Sequence, residues 1–99
     1  MPTLDIHLQE GFEGDEVVVR IDGEERLRRD AVQTRKALAL AEHVTFEVAA
    51  GQHVVEVSIP ARGIEQRIDV DVADKLYVGM GLKDNELRVR VRDKQFGYG

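Results

Sequence analysis

Apolar and polar residues alternate along most of this chain, a pattern typical of β-strands with one buried face. Residues 3–9 alternate in this way and predict a first strand. Residues 10–15, with their glycines and acidic side chains, predict a loop. The β-branched run at 17–21 predicts a second strand. The Asp22-Gly23 pair after it is a strong signal for a hairpin, because both turn positions require positive φ.

The return strand of this hairpin, at 24–29, has only Leu27 as an apolar anchor. We expect it at the edge of a sheet, where its charges would resist edge-to-edge pairing. Residues 30–42 leave two alternatives open. Helix propensity is high here, with Asp30 or Thr34 as a cap, but a helix this short is marginal and a loop is an equal alternative. In either case the segment is expected to cross from one sheet to another.

A second hairpin is predicted at 44–59. Two alternating runs flank a four-residue loop, and the pairing that buries both apolar sets is specific, since a one-residue slip would expose them. This register pairs Val48 with His53, Phe46 with Val55 and Val44 with Val57. The segment 60–63, with its proline and glycine, then breaks the chain.

The C-terminal part predicts a meander of three strands, at 64–72, 76–82 and 87–92. The middle strand is the most informative stretch of the chain. Its even positions are apolar and predict a buried face, whereas its odd positions are Tyr77, Gly79 and Gly81. Two glycines inside a strand indicate that something approaches the backbone closely there.

Seven to eight short strands with little helix predict an all-β fold, an antiparallel β-sandwich of immunoglobulin-like or transthyretin-like kind. A short helix near 34–41 is the one helical alternative. The length predicts a single domain over residues 1–99, with an aromatic and glycine-containing tail at 93–99.

Matching the buried faces of the meander also predicts which outward side chains are neighbours. Three rows result, namely Asp71–Tyr77–Arg92, Asp69–Gly79–Arg90 and Arg67–Gly81–Arg88. Arg90 is therefore expected to pair with Asp69 across Gly79, and Arg92 to lie against the Tyr77 ring. The ordinary interpretation of such rows is a series of solvent-exposed ion pairs between neighbouring strands, each of which contributes little to stability.

A second interpretation concerns the third row. Arg67 and Arg88 have no carboxylate in their own row, so they would form a clamp for a carboxylate, a phosphate or an acidic peptide. In the tail, Phe96 and Tyr98 either fold back onto the sandwich or anchor a partner. The candidate binding residues are Arg67, Tyr77, Gly79, Gly81, Arg88, Arg90, Phe96 and Tyr98.

Composition narrows the classes of function. The nineteen acidic residues exceed the fourteen basic ones, giving a formal charge of −5, which argues against a nucleic-acid partner. No apolar run is long enough to span a bilayer, and the N-terminus has no export signal, so a cytoplasmic protein is expected. With no cysteine in the chain, a disulfide scaffold and cysteine-ligated metals are excluded.

No motif indicates catalysis or a cofactor. Ser58, the sole serine, lies on a predicted strand without a nucleophile elbow, and no phosphate-binding loop or calcium-binding loop is present. The spacing of His43 and His53 matches no familiar metal site, and His53 is interpreted as a partly buried, hydrogen-bonded histidine. The sequence therefore predicts a protein that is not an enzyme and has no cofactor and no metal.

One resemblance adds to this interpretation. The turn at Asp22-Gly23, the segment 50–57 that begins with a turn into a strand, and the glycine at position 63 resemble the PEGA-type β-sandwich modules. The chain departs from them by having Ala50 where proline is usual and by the extra segment 30–42. The resemblance implies a non-catalytic module of bacterial type, often appended to larger proteins.

We therefore expect a small non-enzymatic interaction or structural module with a protein partner. It would act through the outer face of the meander or through the tail. The alternative is a binder of a small anion or acidic glycan that uses Arg67 and Arg88. An edge strand would also permit a homo-oligomer.

Overall fold

The computed structural model describes residues 1–35, 37–38 and 40–94, and in this part of the chain eight β-strands and one 3-10 turn account for the regular structure. The strands are β1 (Thr3–Leu8), β2 (Glu13–Ile21), β3 (Glu24–Gln33), β4 (Glu42–Glu47), β5 (Gly51–Ile59), β6 (Ile64–Val72), β7 (Lys75–Lys83) and β8 (Glu86–Arg92). The 3-10 turn, Pro60–Arg62, lies between β5 and β6.

The strands form a sandwich of two four-stranded sheets. The first sheet has the order β4-β1-β7-β8 and the second has the order β3-β2-β5-β6. All neighbouring strands are antiparallel except β1 and β7, which are parallel. The all-β sandwich predicted from the sequence is confirmed, with this one parallel pair as a correction to the expected antiparallel arrangement.

The apolar faces of both sheets meet in one core. β1 contributes Leu4, Ile6 and Leu8, all nearly inaccessible to solvent, and strands of the second sheet contribute residues such as Val19 and Val57. Burial of these side chains is the main favourable contribution to folding. β1 lies inside its sheet, between β4 and β7, so the N-terminal strand belongs to the centre of the fold.

The first hairpin confirms the prediction. Asp22 and Gly23 have φ of 54° and 82°, as the tight turn requires, and β3 lies at the edge of the second sheet. The predicted loop at 10–15 is too long, because β2 already begins at Glu13. There Asp15 is buried within the strand, and its ion pair with Arg62 compensates for the burial of the carboxylate.

The helical alternative for 34–41 is wrong in the described part of that segment. β3 continues to Gln33, and residues 35 and 40 form an isolated bridge that closes a turn, with positions 36 and 39 outside the described residues. Thr34 does not cap a helix, since its hydroxyl donates to the Gln9 carbonyl and accepts from the Phe12 amide. The segment does cross between sheets, as predicted, because β3 and β4 belong to different ones.

The predicted hairpin at 44–59 is wrong. β4 pairs with β1 and β5 pairs with β2, so the residues between them cross from one sheet to the other. Contacts of Asp22 support this arrangement. Its side chain accepts from the Val54 amide and its own amide donates to the Val54 carbonyl, which holds the start of β5 against the first hairpin. Val48, Phe46 and Val44 therefore do not pair with His53, Val55 and Val57.

The predicted pairing of the strand at 64–72 with the strand at 76–82 is also wrong, because the chain again crosses from one sheet to the other between them. β6 pairs with β5, and the chain then crosses to the first sheet, where β7 lies between β1 and β8. The amide of Thr3 donates to the carbonyl of Asp74, which fixes the end of this crossing beside β1. Only the last pair of the predicted meander, β7 with β8, forms.

Candidate functional site

The outer face of β7, which carries Tyr77, Gly79 and Gly81, lies at the middle of the first sheet. On one side its neighbours are those predicted, with Tyr77 opposite Arg92, Gly79 opposite Arg90 and Gly81 opposite Arg88. We call this outer surface, formed by the outward residues of β1, β4, β7 and β8, the glycine face. Both glycines are buried although they point away from the core.

On the other side of β7 the neighbour is β1, and the predicted rows change accordingly. Asp5 lies beside Tyr77 and His7 lies beside Gly79, in the places predicted for Asp71 and Asp69. β4 extends the rows, with Thr45 opposite Asp5 and His43 opposite His7. The glycine face therefore has an imidazole and carboxylate side at β1 and β4, and an arginine side at β8.

The predicted ion pair and the predicted clamp do not form. Asp69 lies on β6 in the second sheet, where it pairs with Arg67 at 3.6 Å. Arg90 instead donates to the side-chain oxygen of Gln9 at 3.0 Å. Because Arg67 is in the second sheet, it does not flank Gly81 together with Arg88.

Close approach to the backbone does occur at Gly81, but the group that approaches is Glu10. A Cβ atom at position 81 would lie 3.0 Å from Cγ of Glu10 and 3.5 Å from the Glu10 carbonyl oxygen. That carbonyl accepts a hydrogen bond from the amide of Leu82 at 2.8 Å, which holds the chain after β1 against β7. The absence of a side chain at Gly81 thus makes room for Glu10, where an arginine was predicted.

Beside Gly81 the surface forms a groove with a volume of about 360 Å³. Its lining includes Gln9, Glu10, Gly81, Lys83, Arg88 and Arg90. Three cationic side chains and one carboxylate give this groove a positive balance on a chain of net charge −5. Arg88 is largely exposed and contacts Glu86 on its own strand at 3.6 Å, an ion pair of the weak surface kind.

The other side of the glycine face brings together Asp5, His7 and His43. The two imidazole rings stack with centroids 4.1 Å apart and planes 24° apart, and Tyr77 meets the His7 ring edge-on at 6.2 Å. His43 contacts Oδ1 of Asp5 through Nε2 at 3.1 Å, and the Thr45 hydroxyl donates to the same oxygen. This cluster was not predicted, because strand pairing brings His7 and His43 together from distant parts of the sequence.

Burial affects the protonation of His7. The His7 side chain is among the largest fully buried ones, and burial lowers the pKa of His7, with the nearby His43 acting in the same direction and Asp5 opposing both. The His7 ring is therefore neutral at pH 7. A neutral imidazole next to a carboxylate and a second imidazole has lone pairs suited to ligation.

His53 confirms the prediction of a hydrogen-bonded histidine. Its Nε2 donates to the carbonyl of Ala49 at 2.7 Å, and its Nδ1 contacts Oδ2 of Asp22 at 2.6 Å. The hydrogen bond to Ala49 and the one to Asp22 raise the pKa of His53, because both ring nitrogens donate when the ring is charged. His53 thus stabilises the crossing from β4 to β5, a structural role.

Of the remaining predicted binding residues, Phe96 and Tyr98 lie outside the described residues. The described part of the chain includes no helix long and apolar enough to cross a membrane. Comparisons of the chain with protein-family models, with curated proteins and with solved structures find no match.

Proposed function

We propose that this domain is a non-enzymatic interaction module that binds an extended acidic segment of a protein partner along β8. The observation that carries the proposal is the groove beside Gly81, where Lys83, Arg88 and Arg90 face the same space. Arginine recognises carboxylates through paired hydrogen bonds, so a groove of this composition favours an acidic ligand. The resemblance to the PEGA-type modules agrees with a non-catalytic role.

The position of β8 supports an extended ligand. Within the described part of the chain β8 has a neighbour on one side only, β7, so its other edge can add a strand. A segment paired there would place alternate side chains beside Arg88, Arg90 and Arg92 on the glycine face. The side chains between them would meet Val91, which is an exposed apolar residue. The expected ligand therefore alternates acidic with apolar residues.

The test measures binding of two synthetic peptides by fluorescence anisotropy. One peptide alternates glutamate with valine, and the other has the same composition arranged in two blocks. We expect tighter binding of the alternating peptide and loss of that binding as salt increases. Equal binding of both peptides would contradict the strand-addition part of the proposal, and no binding of either would contradict the whole.

Two charge reversals locate the surface. Arg88→Glu is expected to weaken binding of the alternating peptide by about tenfold or more, because it reverses a charge at the groove. Arg67→Glu is the matched control, since Arg67 is similarly exposed, has a similar ion pair and belongs to the other sheet. An equal loss in both variants would mean that only the net charge of the protein matters.

The second candidate function, binding of a small anion or an acidic glycan, rests on the same groove. Arg88, Lys83 and Arg90 would hold the anion without Arg67. Melting temperatures measured with phosphate, citrate and an acidic oligosaccharide test this candidate, since a ligand of the native state raises the melting temperature. A shift that Arg88→Glu abolishes, together with no affinity for either peptide, would favour the small ligand.

A further inference from the structure

The residues Asp5, His7 and His43 have the chemistry and the placement of a metal site. Asp5 and His7 are two residues apart on β1 and therefore point to the same side of the sheet, and His43 lies directly opposite His7 on β4. Two imidazoles and one carboxylate are a donor set that suits divalent transition metals.

The ligand atoms lie close enough for a metal ion to be bound once the His43 ring rotates out of its stacking contact with His7. One ligand atom from each of the three residues lies within 4.8 Å of the other two. Around a tetrahedral zinc ion, with bonds of about 2.0–2.2 Å, ligand atoms are about 3.4 Å apart. The exposed His43 side chain can provide most of this movement, while the buried His7 ring stays fixed.

Neighbouring side chains orient two of the three ligands, Asp5 and His7. The Thr45 hydroxyl donates to Asp5, and the Tyr77 and His7 rings contact each other in an edge arrangement. A hydrogen bond such as the one from Thr45 orients a metal ligand and raises metal affinity. Gly79, beside His7 on β7, adds no side chain to the glycine face at that point.

We propose that Asp5, His7 and His43 bind one divalent transition-metal ion such as Zn²⁺ on the glycine face, with a water or a partner's side chain as a further ligand. Three protein ligands leave one position of a tetrahedral ion open. The ion would replace the contact between His43 and Asp5 by two bonds to the metal. This inference is independent of the acidic ligand proposed above, because the groove at Arg88 contributes none of the three residues.

Isothermal titration calorimetry with zinc chloride tests the proposal, on protein purified without a polyhistidine tag and treated with a chelator. We expect one Zn²⁺ per chain with a dissociation constant in the micromolar range, and no heat from Mg²⁺ or Ca²⁺, which prefer all-oxygen sites. Zinc affinity no better than millimolar, or equal affinity for Mg²⁺, would overturn the proposal.

Two variants and one control test the contributions of Asp5 and His43. His43→Gln and Asp5→Asn are each expected to weaken zinc binding by about tenfold or more, because each removes one of three ligands. His53→Gln is the matched control, since His53 also contacts an aspartate but both of its ring nitrogens are already hydrogen-bonded. Unchanged affinity in His43→Gln, or a loss in His53→Gln alone, would contradict the assignment. Circular dichroism shows whether each variant is folded.

A spectroscopic measurement does not depend on variants. In a ¹H–¹⁵N spectrum of the imidazole nitrogens, Zn²⁺ is expected to shift the signals of His7 and His43 and to leave those of His53 unchanged. Shifts confined to His53, or no shift at saturating Zn²⁺, would overturn the proposal. This measurement tests the metal site separately from the proposed binding of an acidic ligand, because it is made in the absence of both peptides.

Discussion

At Gly11 the backbone leaves no room for any side chain. Its φ is +88°, which L-residues rarely adopt, and an added Cβ would overlap the carbonyl group of Leu82. Gly11 thus allows the chain after β1 to turn closely over the end of β7. This contact is tighter than the one at Gly81, where the added Cβ would lie 3.0 Å from Glu10.

We predict that Gly11→Ala lowers the free energy of unfolding by more than about 3 kcal/mol, because strain and overlap act together. Gly14→Ala is the control. Gly14 also has a positive φ, of +77°, but nothing lies within 4 Å of its added Cβ, so only strain of about 1–2 kcal/mol applies. Urea unfolding of both variants measures the difference. Equal losses would show that the backbone near Leu82 adjusts freely.

The pair of His53 and Asp22 is expected to make stability depend on pH. The pKa of His53 is raised by its hydrogen bonds to Ala49 and Asp22, so its stabilising effect is complete below about pH 6.5 and is lost as pH rises through the folded-state value. The pKa of Asp22 is lowered, first by His53, so its effect is present above about pH 4 and is lost in acid.

We therefore predict that His53→Gln costs the most stability between about pH 4 and pH 6.5 and progressively less above this range. Subtracting the variant from the wild type at each pH removes the contributions of other groups, including His7. Urea unfolding at pH 5, 7 and 9 measures the difference. A difference that is constant with pH would show that the charge of His53 contributes nothing.

At the scale of elements, one ion pair joins the turn after β5 to β2. The guanidinium of Arg62 donates to Asp15 through Nε at 2.8 Å and through a terminal nitrogen at 3.1 Å. The Asp15 side chain is 8% exposed and that of Arg62 is 25% exposed. This hydrogen bond with Arg62 lowers the pKa of Asp15, so the carboxylate stays charged although it is buried.

We predict that Arg62→Met lowers the free energy of unfolding by about 2–3 kcal/mol, because it leaves a buried carboxylate without its partner. Arg28→Met is the control, since Arg28 makes a similar two-bond contact with Glu25 on an exposed surface, where such pairs contribute little. Urea unfolding at pH 7 compares them. Equal effects would mean that burial of Asp15 does not matter.

The strands could be predicted from the sequence, whereas much of their pairing could not. The alternation of apolar and polar residues shows which face of a strand is buried. It correctly predicted β7 and the outward position of its two glycines. In a sandwich, however, two strands on opposite sides of the core show the same alternation as two neighbours in a sheet. Phe46 and Val55 both face the core, but from different sheets.

The same limitation applies to the candidate site. The register of β7 with β8 was predictable, since a short turn joins them, and it placed Arg90 beside Gly79 correctly. The other neighbour of Gly79 is His7, which is about seventy residues away and which no local pattern identifies. The polar residues at alternate positions of 3–9 indicated that this strand has a polar outer face. They did not indicate which residues of other strands lie beside that face.

At the scale of the whole molecule, the position of β1 determines how the fold can be assembled. Leu4 of β1 lies opposite Phe46 on one side and Leu76 on the other, so both sides of the strand depend on residues far along the chain. By contrast, β2 and β3 are joined by a two-residue turn. Forming distant pairs costs more chain entropy, so sandwiches of this kind fold slowly.

We predict single-exponential folding on the millisecond-to-second scale, with the hairpin of β2 and β3 formed before β1 is added. Val19→Ala, in the hairpin, should slow folding, with a φ-value above about 0.5. Ile6→Ala, on β1, should mainly speed unfolding, with a φ-value below about 0.3, because its contacts form late. Both side chains are buried, so both substitutions perturb stability enough to be interpreted. Stopped-flow kinetics in urea measure both rates. If Ile6→Ala slows folding as much as Val19→Ala, β1 belongs to the folding nucleus and the proposed order of assembly is wrong.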